Sequence, residues 1–296
     1  MSRFVILGDS VTWGQGLNDS EKIHTIVASA MNFKPSDIIL TAHSGAVIGA
    51  TAKSTERAVN GEVPVPYPTI LQQCRGFPGN NEDVALVVVN GGINDVDFRF
   101  IINPLTDPGD MHEAIFQHCY LDMKLLLTEI ATRFSNPSAR ILLTSYYPIL
   151  SRSSSITLVP TFLLLHGVVI PPFIVSANDL AFGRLVANCQ QFWEESNACF
   201  VDAVDEVNVD LGGSRILFVK IPFKDENAAL ATDPWLWGIN ADLSVEDSMR
   251  DARHLACDID EPDLIQREIC YRASAGHPNV AGAKQFADAI CKVLGV

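Results

Sequence analysis

The stretch that most constrains the fold is Val84–Val89, in which six apolar residues, four of them valine, follow one another without interruption. An unbroken β-branched run of this length is typical of a strand buried on both faces of a parallel sheet. Shorter apolar runs at Phe4–Leu7 and Ile38–Leu40 predict two further strands. The sequence therefore predicts a sheet in the interior of the protein.

Helical and strand patterns alternate along the rest of the chain. Apolar spacing predicts helices over His112–Phe134, Ala177–Ser196 and Val280–Val293, and apolar runs predict strands over Arg140–Tyr146 and Ala198–Val204. This alternation predicts a three-layer α/β/α sandwich with a mainly parallel central sheet, similar to flavodoxin-like folds. We interpret the 296 residues as a single domain, 1–296, because one large α/β domain accommodates that length.

The net charge of the protein and the first residues of its sequence restrict its expected partners and its expected location in the cell. The formal net charge of -14 and the pI near 4.8 argue against a nucleic-acid partner, which needs a clustered Lys/Arg surface. The first strand begins by Phe4, so no signal peptide is expected in this sequence. We therefore expect a cytoplasmic protein or the processed form of a secreted one.

Cysteine and histidine spacing indicates no metal or cofactor site. The seven cysteines include no C-x-x-C pair, and no glycine-rich phosphate loop follows a predicted strand. His112 and His118 stand six residues apart on one predicted helix, which turns their imidazoles away from each other. Buried free thiols are the simplest interpretation of the cysteines; if the protein is extracellular, Cys257 with Cys270 is the pair to test first for a disulfide.

The segment Ile156–Val175 departs from the alternation because it is nearly continuously apolar. Its length approaches that of a membrane span, but Pro160, Gly167 and the pair Pro171-Pro172 would interrupt such a helix. Three interpretations stay open. The region at about 150–176 is a lid or insertion over an active site, a surface that touches lipid or an acyl chain transiently, or an ordinary buried connection.

Four residues that could take part in catalysis stand where this fold would bring them together. Ser10, Gly45 and Asn94 each follow one of the first three predicted strands, and His277 precedes the last helix. Ligand sites in such sheets lie beyond the carboxyl ends of the strands. A serine becomes nucleophilic when a base takes its proton, and the resulting oxyanion needs donors aimed at it. The four residues supply a nucleophile, a base and two donors.

The blocks that carry these residues resemble those of the SGNH hydrolases, the GDSL-type esterases and lipases. The blocks occur in the family's order, as Gly8-Asp9-Ser10, Ser44-Gly45, Gly91-Gly92-Ile93-Asn94-Asp95 and His277-Pro278-Asn279. The resemblance implies Ser10 as nucleophile and His277 as general base. It also implies an oxyanion hole from the N–H groups of Ser10 and Gly45 with the Asn94 side chain, a structural Asp9, and ester hydrolysis without metal or cofactor.

One position departs from the family pattern. Relatives usually carry an aspartate three residues before the histidine, where this chain has Ser274. A hydroxyl cannot stabilise a charged imidazole as a carboxylate does. By similarity to family members without that aspartate, a main-chain carbonyl is expected to orient His277, and the segment Asp233–Gly238 is our candidate source. The sequence therefore predicts a Ser–His dyad.

These features together favour a hydrolase of carboxylic esters whose substrate is a small-molecule or lipid ester. Trp235 and Trp237, with the apolar segment above, favour an apolar acyl group. Two alternatives use the same residues, namely a carbohydrate O-acetyl esterase and an acyltransferase. An alternative of another class is a non-catalytic binding protein on the same fold, since the expected aspartate is missing.

Overall fold

The computed structural model describes residues 2–50, 68–168 and 178–296, and at the centre of this part of the chain lies a parallel sheet of five strands. The strands are β1 (Arg3–Leu7), β2 (Ile38–Leu40), β3 (Val84–Val89), β4 (Arg140–Thr144) and β5 (Ile216–Val219). Their order in the sheet is β2-β1-β3-β4-β5. The register aligns Leu40, Ile6, Val88, Leu142 and Leu217 across all five.

Helices cover the sheet in two layers. One layer contains α2 and α12, which pack against each other, and the other contains α3, α6, α7 and α9. The helices in chain order are α1 (Ser10–Trp13), α2 (Ile23–Ala30), α3 (Ile70–Arg75), α4 (Ile93–Val96), α5 (Phe98–Ile101), α6 (Pro108–Ile115), α7 (Met123–Arg133), α8 (Val159–Leu165), α9 (Asn178–Asp210), α10 (Arg250–Asp260), α11 (Leu264–Tyr271) and α12 (Val280–Leu294). The prediction of a three-layer α/β/α sandwich with a parallel sheet is confirmed.

The strand order places the reversal of the sheet between β1 and β3. The chain moves outward from β1 to β2, crosses back to β3 and continues to β4 and β5. Loops at the carboxyl ends of β1 and β3 diverge at this point and leave a crevice, where doubly wound sheets bind their ligands. The loops that contain Ser10 and Asn94 follow these two strands.

One predicted strand is wrong. Residues 198–204 belong to α9, which runs without interruption from Asn178 to Asp210, and the fifth strand is instead β5. Phe200, Ala203 and Val207 are buried while Val201 is 38% exposed, a helical spacing that a short apolar run conceals. The segment predicted as a long helix, His112–Phe134, is helical up to Arg133. Its middle, Phe116–Asp122, is a π-helix.

The apolar segment Ile156–Val175 is partly described, since residues 169–175 lie outside the described ranges. Its first half contains α8, where Phe162 and Leu163 are buried. Among the helices in the described ranges, none has both the length and the apolarity that a bilayer crossing requires. The lid stays a prediction.

A disulfide joins Cys257 of α10 to Cys270 of α11, with the two Cα atoms 5.9 Å apart. This is the pair that the sequence singled out for testing. The disulfide closes a helical hairpin that reaches the candidate site through Ile269 of α11.

Candidate active site

Ser10 is held at the first residue of α1 by the turn that precedes it. Gly8 has a φ of 129°, and a side chain there would collide with the carbonyl oxygen of Asn90, the residue that follows β3. The Asp9 carboxylate caps α1 by accepting a hydrogen bond of 2.9 Å from the Val11 N–H. The glycine therefore allows β1 to turn sharply beside β3, and the cap starts the helix at Ser10.

Two side chains far away in sequence support this turn. The Gln73 amide accepts from the Gly8 N–H at 2.8 Å and donates to the Gly8 carbonyl at 2.9 Å. The Tyr146 hydroxyl donates to Asp9 at 2.7 Å and accepts from the Ile93 N–H at 3.1 Å. Burial raises the pKa of Asp9 to about 6. These contacts agree with the structural role that the resemblance implies for Asp9, whereas no sequence pattern indicated Gln73 or Tyr146.

His277 lies against Ser10 although 267 residues separate them in sequence. Its Nε2 is 2.8 Å from the Ser10 Oγ, and its Nδ1 is 3.2 Å from the Ser274 carbonyl oxygen. A carbonyl only accepts, so Nδ1 carries the proton and Nε2 is left to accept from the serine hydroxyl. Burial lowers the pKa of His277 to about 4, which keeps the imidazole neutral near pH 7.

The carbonyl that faces His277 is not the one expected from the sequence. The segment Asp233–Gly238 does not contribute it, and its Trp235 and Trp237 carbonyls accept from main-chain N–H groups of the histidine loop instead. Trp237 accepts from Gly276 N–H at 2.8 Å and donates to the His277 carbonyl at 2.8 Å. Leu236 also forms an antiparallel bridge with Pro278. The segment therefore holds the backbone of the loop, and Ser274 orients the ring.

The carboxylate of Asp247 lies near His277, but it bonds to Ser274 and not to the imidazole. The Ser274 hydroxyl donates to Asp247, and Asp247 is paired with Arg253 of α10. The side chains of Asp247 and Arg253 are fully buried. Arg253 also donates to the Tyr271 carbonyl at 3.1 Å. Ser274 thus connects the turn of His277 to a buried ion pair that the sequence did not reveal.

Gly45 and Asn94, the two other residues predicted for the site, line one cavity together with Ser10 and His277. Their loops are bonded to each other. The Asn94 amide donates to the Ala46 carbonyl at 2.9 Å, and the Asp95 carboxylate accepts from the Ile48 N–H at 3.0 Å. The structure thus brings all four predicted residues to one place, while their catalytic roles stay a prediction.

The cavity has a volume of about 170 Å³ and mainly apolar walls. Phe98 of α5, Leu165 of α8 and Ile269 of α11 contribute to these walls, and Arg272 follows α11 there. His166, next to Leu165, directs its Nε2 to the Ala275 carbonyl at 3.3 Å. The apolar segment therefore reaches the site through Leu165 of α8, and its His166 contacts the histidine loop.

Asp95, His118 and Asp122 are the side chains in the described part of the chain whose arrangement suits a metal ion. Their candidate ligand atoms all lie within 4.8 Å of one another. His118 is already bonded to Asp122 at 2.7 Å, and Asp95 accepts from Ile48. The hydrogen bonds within the protein account for this group, which the sequence did not bring together.

Comparison with solved structures places the fold. A phospholipase A1 from Streptomyces albidoflavus NA297 aligns over 98% of this chain and 98% of its own, with 13% identity and a TM-score of 0.51. The chain has the fold of SGNH-type hydrolases. The resemblance indicated by the four sequence blocks is thereby confirmed at the level of the fold.

Other solved structures align over similar lengths. A lipase from a goat rumen metagenome is 12% identical, with a TM-score of 0.47 over 99% of this chain and 97% of its own. A carbohydrate acetylesterase from Sinorhizobium meliloti is 12% identical, with a TM-score of 0.46 over 100% of this chain and 99% of its own. No protein-family model and no curated protein matches the chain.

Proposed function

We propose that this protein is a serine hydrolase that cleaves carboxylic esters through an acyl-enzyme on Ser10. The observation that carries the proposal is the 2.8 Å contact between Ser10 Oγ and His277 Nε2 in a cavity with apolar walls. The fold supports it, since the solved structure that shares this fold is named a phospholipase A1.

In the first half of the reaction, Ser10 Oγ attacks the ester carbonyl carbon while His277 Nε2 takes the hydroxyl proton. The carbonyl oxygen becomes an oxyanion, which the N–H groups of Ser10 and Gly45 and the Asn94 amide stabilise. The intermediate collapses as the bond to the alcohol oxygen breaks, and His277 returns the proton to the leaving alcohol. The acyl group is then bound to Ser10.

In the second half, His277 takes a proton from water, and the hydroxide attacks the acyl carbon. Collapse of the second oxyanion releases the carboxylic acid, and His277 returns the proton to Ser10. In each half the imidazole is briefly charged. The Ser274 carbonyl, rather than a carboxylate, accepts from Nδ1 at that moment, so a dipole replaces the usual full charge.

The apolar walls of the cavity suit the acyl group of an ester. The lining side chains described here include Phe98, Leu165 and Ile269 but no carboxylate. The volume of about 170 Å³ is below the ~300–1,000 Å³ of pockets for drug-sized ligands, which favours a short acyl group. That volume also suits an acetyl ester of a carbohydrate, so the O-acetyl esterase alternative stays in the proposal.

The test is turnover of p-nitrophenyl esters of increasing acyl length, followed for wild type, Ser10→Ala and the matched control Ser36→Ala. Ser36 is an exposed serine outside the cavity. We expect Ser10→Ala to lose turnover and fluorophosphonate labelling, and Ser36→Ala to keep both. Turnover by Ser10→Ala equal to that of the wild type would refute the mechanism. Absence of turnover and labelling in the wild type would favour a binding protein instead, and ester products formed with an added alcohol would identify an acyltransferase.

A further inference from the structure

The hairpin formed by α10 and α11 exposes an apolar face. On α10, Ala252, Leu255 and Ile259 are spaced so that they share one side of the helix, and all three are exposed. Arg253 and Cys257 occupy the buried side. A surface helix of a soluble protein normally directs its apolar stripe toward the core. Here the orientation is reversed, and the apolar stripe faces solvent.

The start of α11 extends this face toward the candidate active site. The two helices contact each other, and Leu264 and Ile265 are exposed to the same degree as Leu255 and Ile259, between 65% and 75%. Ile265 and Ile269 share one side of α11, and Ile269 lines the cavity that contains Ser10 and His277. Scattered exposed aliphatic residues are ordinary, but a group that continues into a cavity marks an interaction surface.

The hairpin presents these side chains on a fixed frame. The Cys257–Cys270 disulfide joins its helices. Asp263 caps α11 by accepting from the Ile265 and Gln266 N–H groups at 2.9 Å, and Arg267 donates to the Glu261 carbonyl at 2.8 Å. The exposed face is therefore part of an ordered element.

The charge of the hairpin restricts the partner. Residues 250–272 contain four arginines and six acidic residues, and the whole chain has a net charge of -14. Attraction to anionic membranes depends on clustered Lys and Arg beside the apolar face. The balance here disfavours an anionic surface and suits an uncharged or zwitterionic one.

We propose that the apolar face Leu255, Ile259, Leu264 and Ile265 docks on the surface of aggregated uncharged or zwitterionic ester lipid. The docked protein then receives an ester through the cavity mouth at Ile269. Leu164 of α8 supports this orientation, because it is 60% exposed and precedes Leu165 of the cavity wall. The proposal rests on the proposed ester hydrolysis for its substrate, whereas docking is measurable without turnover.

The test uses the Ser10→Ala protein, in which lipid is not consumed, and sedimentation with phosphatidylcholine vesicles. We expect binding that weakens at least tenfold in the added double variant Leu255→Ser with Ile259→Ser. The matched control is Val209→Ser with Leu211→Ser, two exposed aliphatic residues, one in the last turn of α9 and one directly after it, before β5. The control is expected to bind like its parent.

Turnover separates the failure of docking from the failure of hydrolysis. With Ser10 present, the Leu255 and Ile259 double variant should hydrolyse dissolved p-nitrophenyl acetate at the wild-type rate and lose activity only on an emulsion of a short-chain ester such as tributyrin. No binding to phosphatidylcholine, equal weakening by the control, or preference for phosphatidylglycerol vesicles would overturn docking. A wild-type dimer that the double variant dissociates, without vesicle binding, would assign the face to a second copy and also overturn it.

Discussion

Ser274→Ala removes the hydroxyl that connects the histidine loop to the buried pair of Asp247 and Arg253. The main-chain carbonyl that faces His277 Nδ1 is retained. The Asp247 carboxylate still accepts hydrogen bonds from Arg253 and from the Met249 N–H. It loses the hydrogen bond from the Ser274 hydroxyl, a bond in which the acceptor is charged. Such a bond contributes about 1.5–3 kcal/mol. We expect the free energy of unfolding to fall by about that amount, measured by urea unfolding.

The same substitution should lower turnover more than substrate binding. Ser274 is not among the residues that line the cavity, so KM should change little. The imidazole loses one support of its turn, and a misplacement of about 1 Å can cost ~10²-fold in rate. Because the Nδ1 contact itself remains, we expect kcat to fall by roughly tenfold, an intermediate effect. Steady-state kinetics with p-nitrophenyl acetate measure both constants.

Two further variants show whether the effects of Ser274→Ala depend on its contact with the buried ion pair. Ser244→Ala removes a hydroxyl that donates to Asp242 at 2.7 Å on the exposed surface, and its unfolding free energy should change by less than about 0.5 kcal/mol. Asp247→Asn removes one side of a buried ion pair, which costs about 3–5 kcal/mol. If Ser274→Ala were as stable and as active as Ser244→Ala, our account of how His277 is held would be refuted.

Three other predictions concern the cavity itself. Asn94→Ala should lower kcat by about 10²–10³-fold because one oxyanion donor is lost, and a change confined to KM would contradict that role. Since His277 acts as a base only when neutral and its pKa is lowered to about 4, kcat/KM should decline only as the pH falls toward 4, and an inflection near 6.5 would contradict this. Phe98→Ala enlarges the cavity and should move the preferred p-nitrophenyl ester to a longer acyl chain, whereas an unchanged profile would show that the acyl group lies elsewhere.

The parts of the fold that sequence reasoning predicted are those with a local cause. Val84–Val89 is β-branched and uninterrupted, and the structure has a buried strand with the same bounds. The glycine and asparagine loops after the first three strands converge because parallel strands end at one edge. Ser10, Gly45 and Asn94 follow from that rule alone, while the resemblance supplied their proposed roles.

The features that sequence reasoning missed depend on contacts between distant residues. Gln73 lies 65 residues from Gly8, and Tyr146 lies 137 residues from Asp9, so no spacing indicates either contact. The predicted strand at 198–204 failed for a different reason. A short apolar run does not distinguish a strand from one turn of a long helix, and only its packing inside α9 decides.

The hairpin of α10 and α11 connects the position of His277 with the proposed contact to lipid. Its buried side contributes Arg253, which fixes Asp247 and through it Ser274, while its outer side contributes Leu255 and Ile259. Ile269 contributes to the cavity wall between these two sides. The Cys257–Cys270 disulfide joins the two helices, so the side that holds Asp247 and the side proposed to contact lipid belong to one hairpin. Ser274, which stands where relatives usually carry an aspartate, thus connects the loop of His277 to an ion pair held by this hairpin.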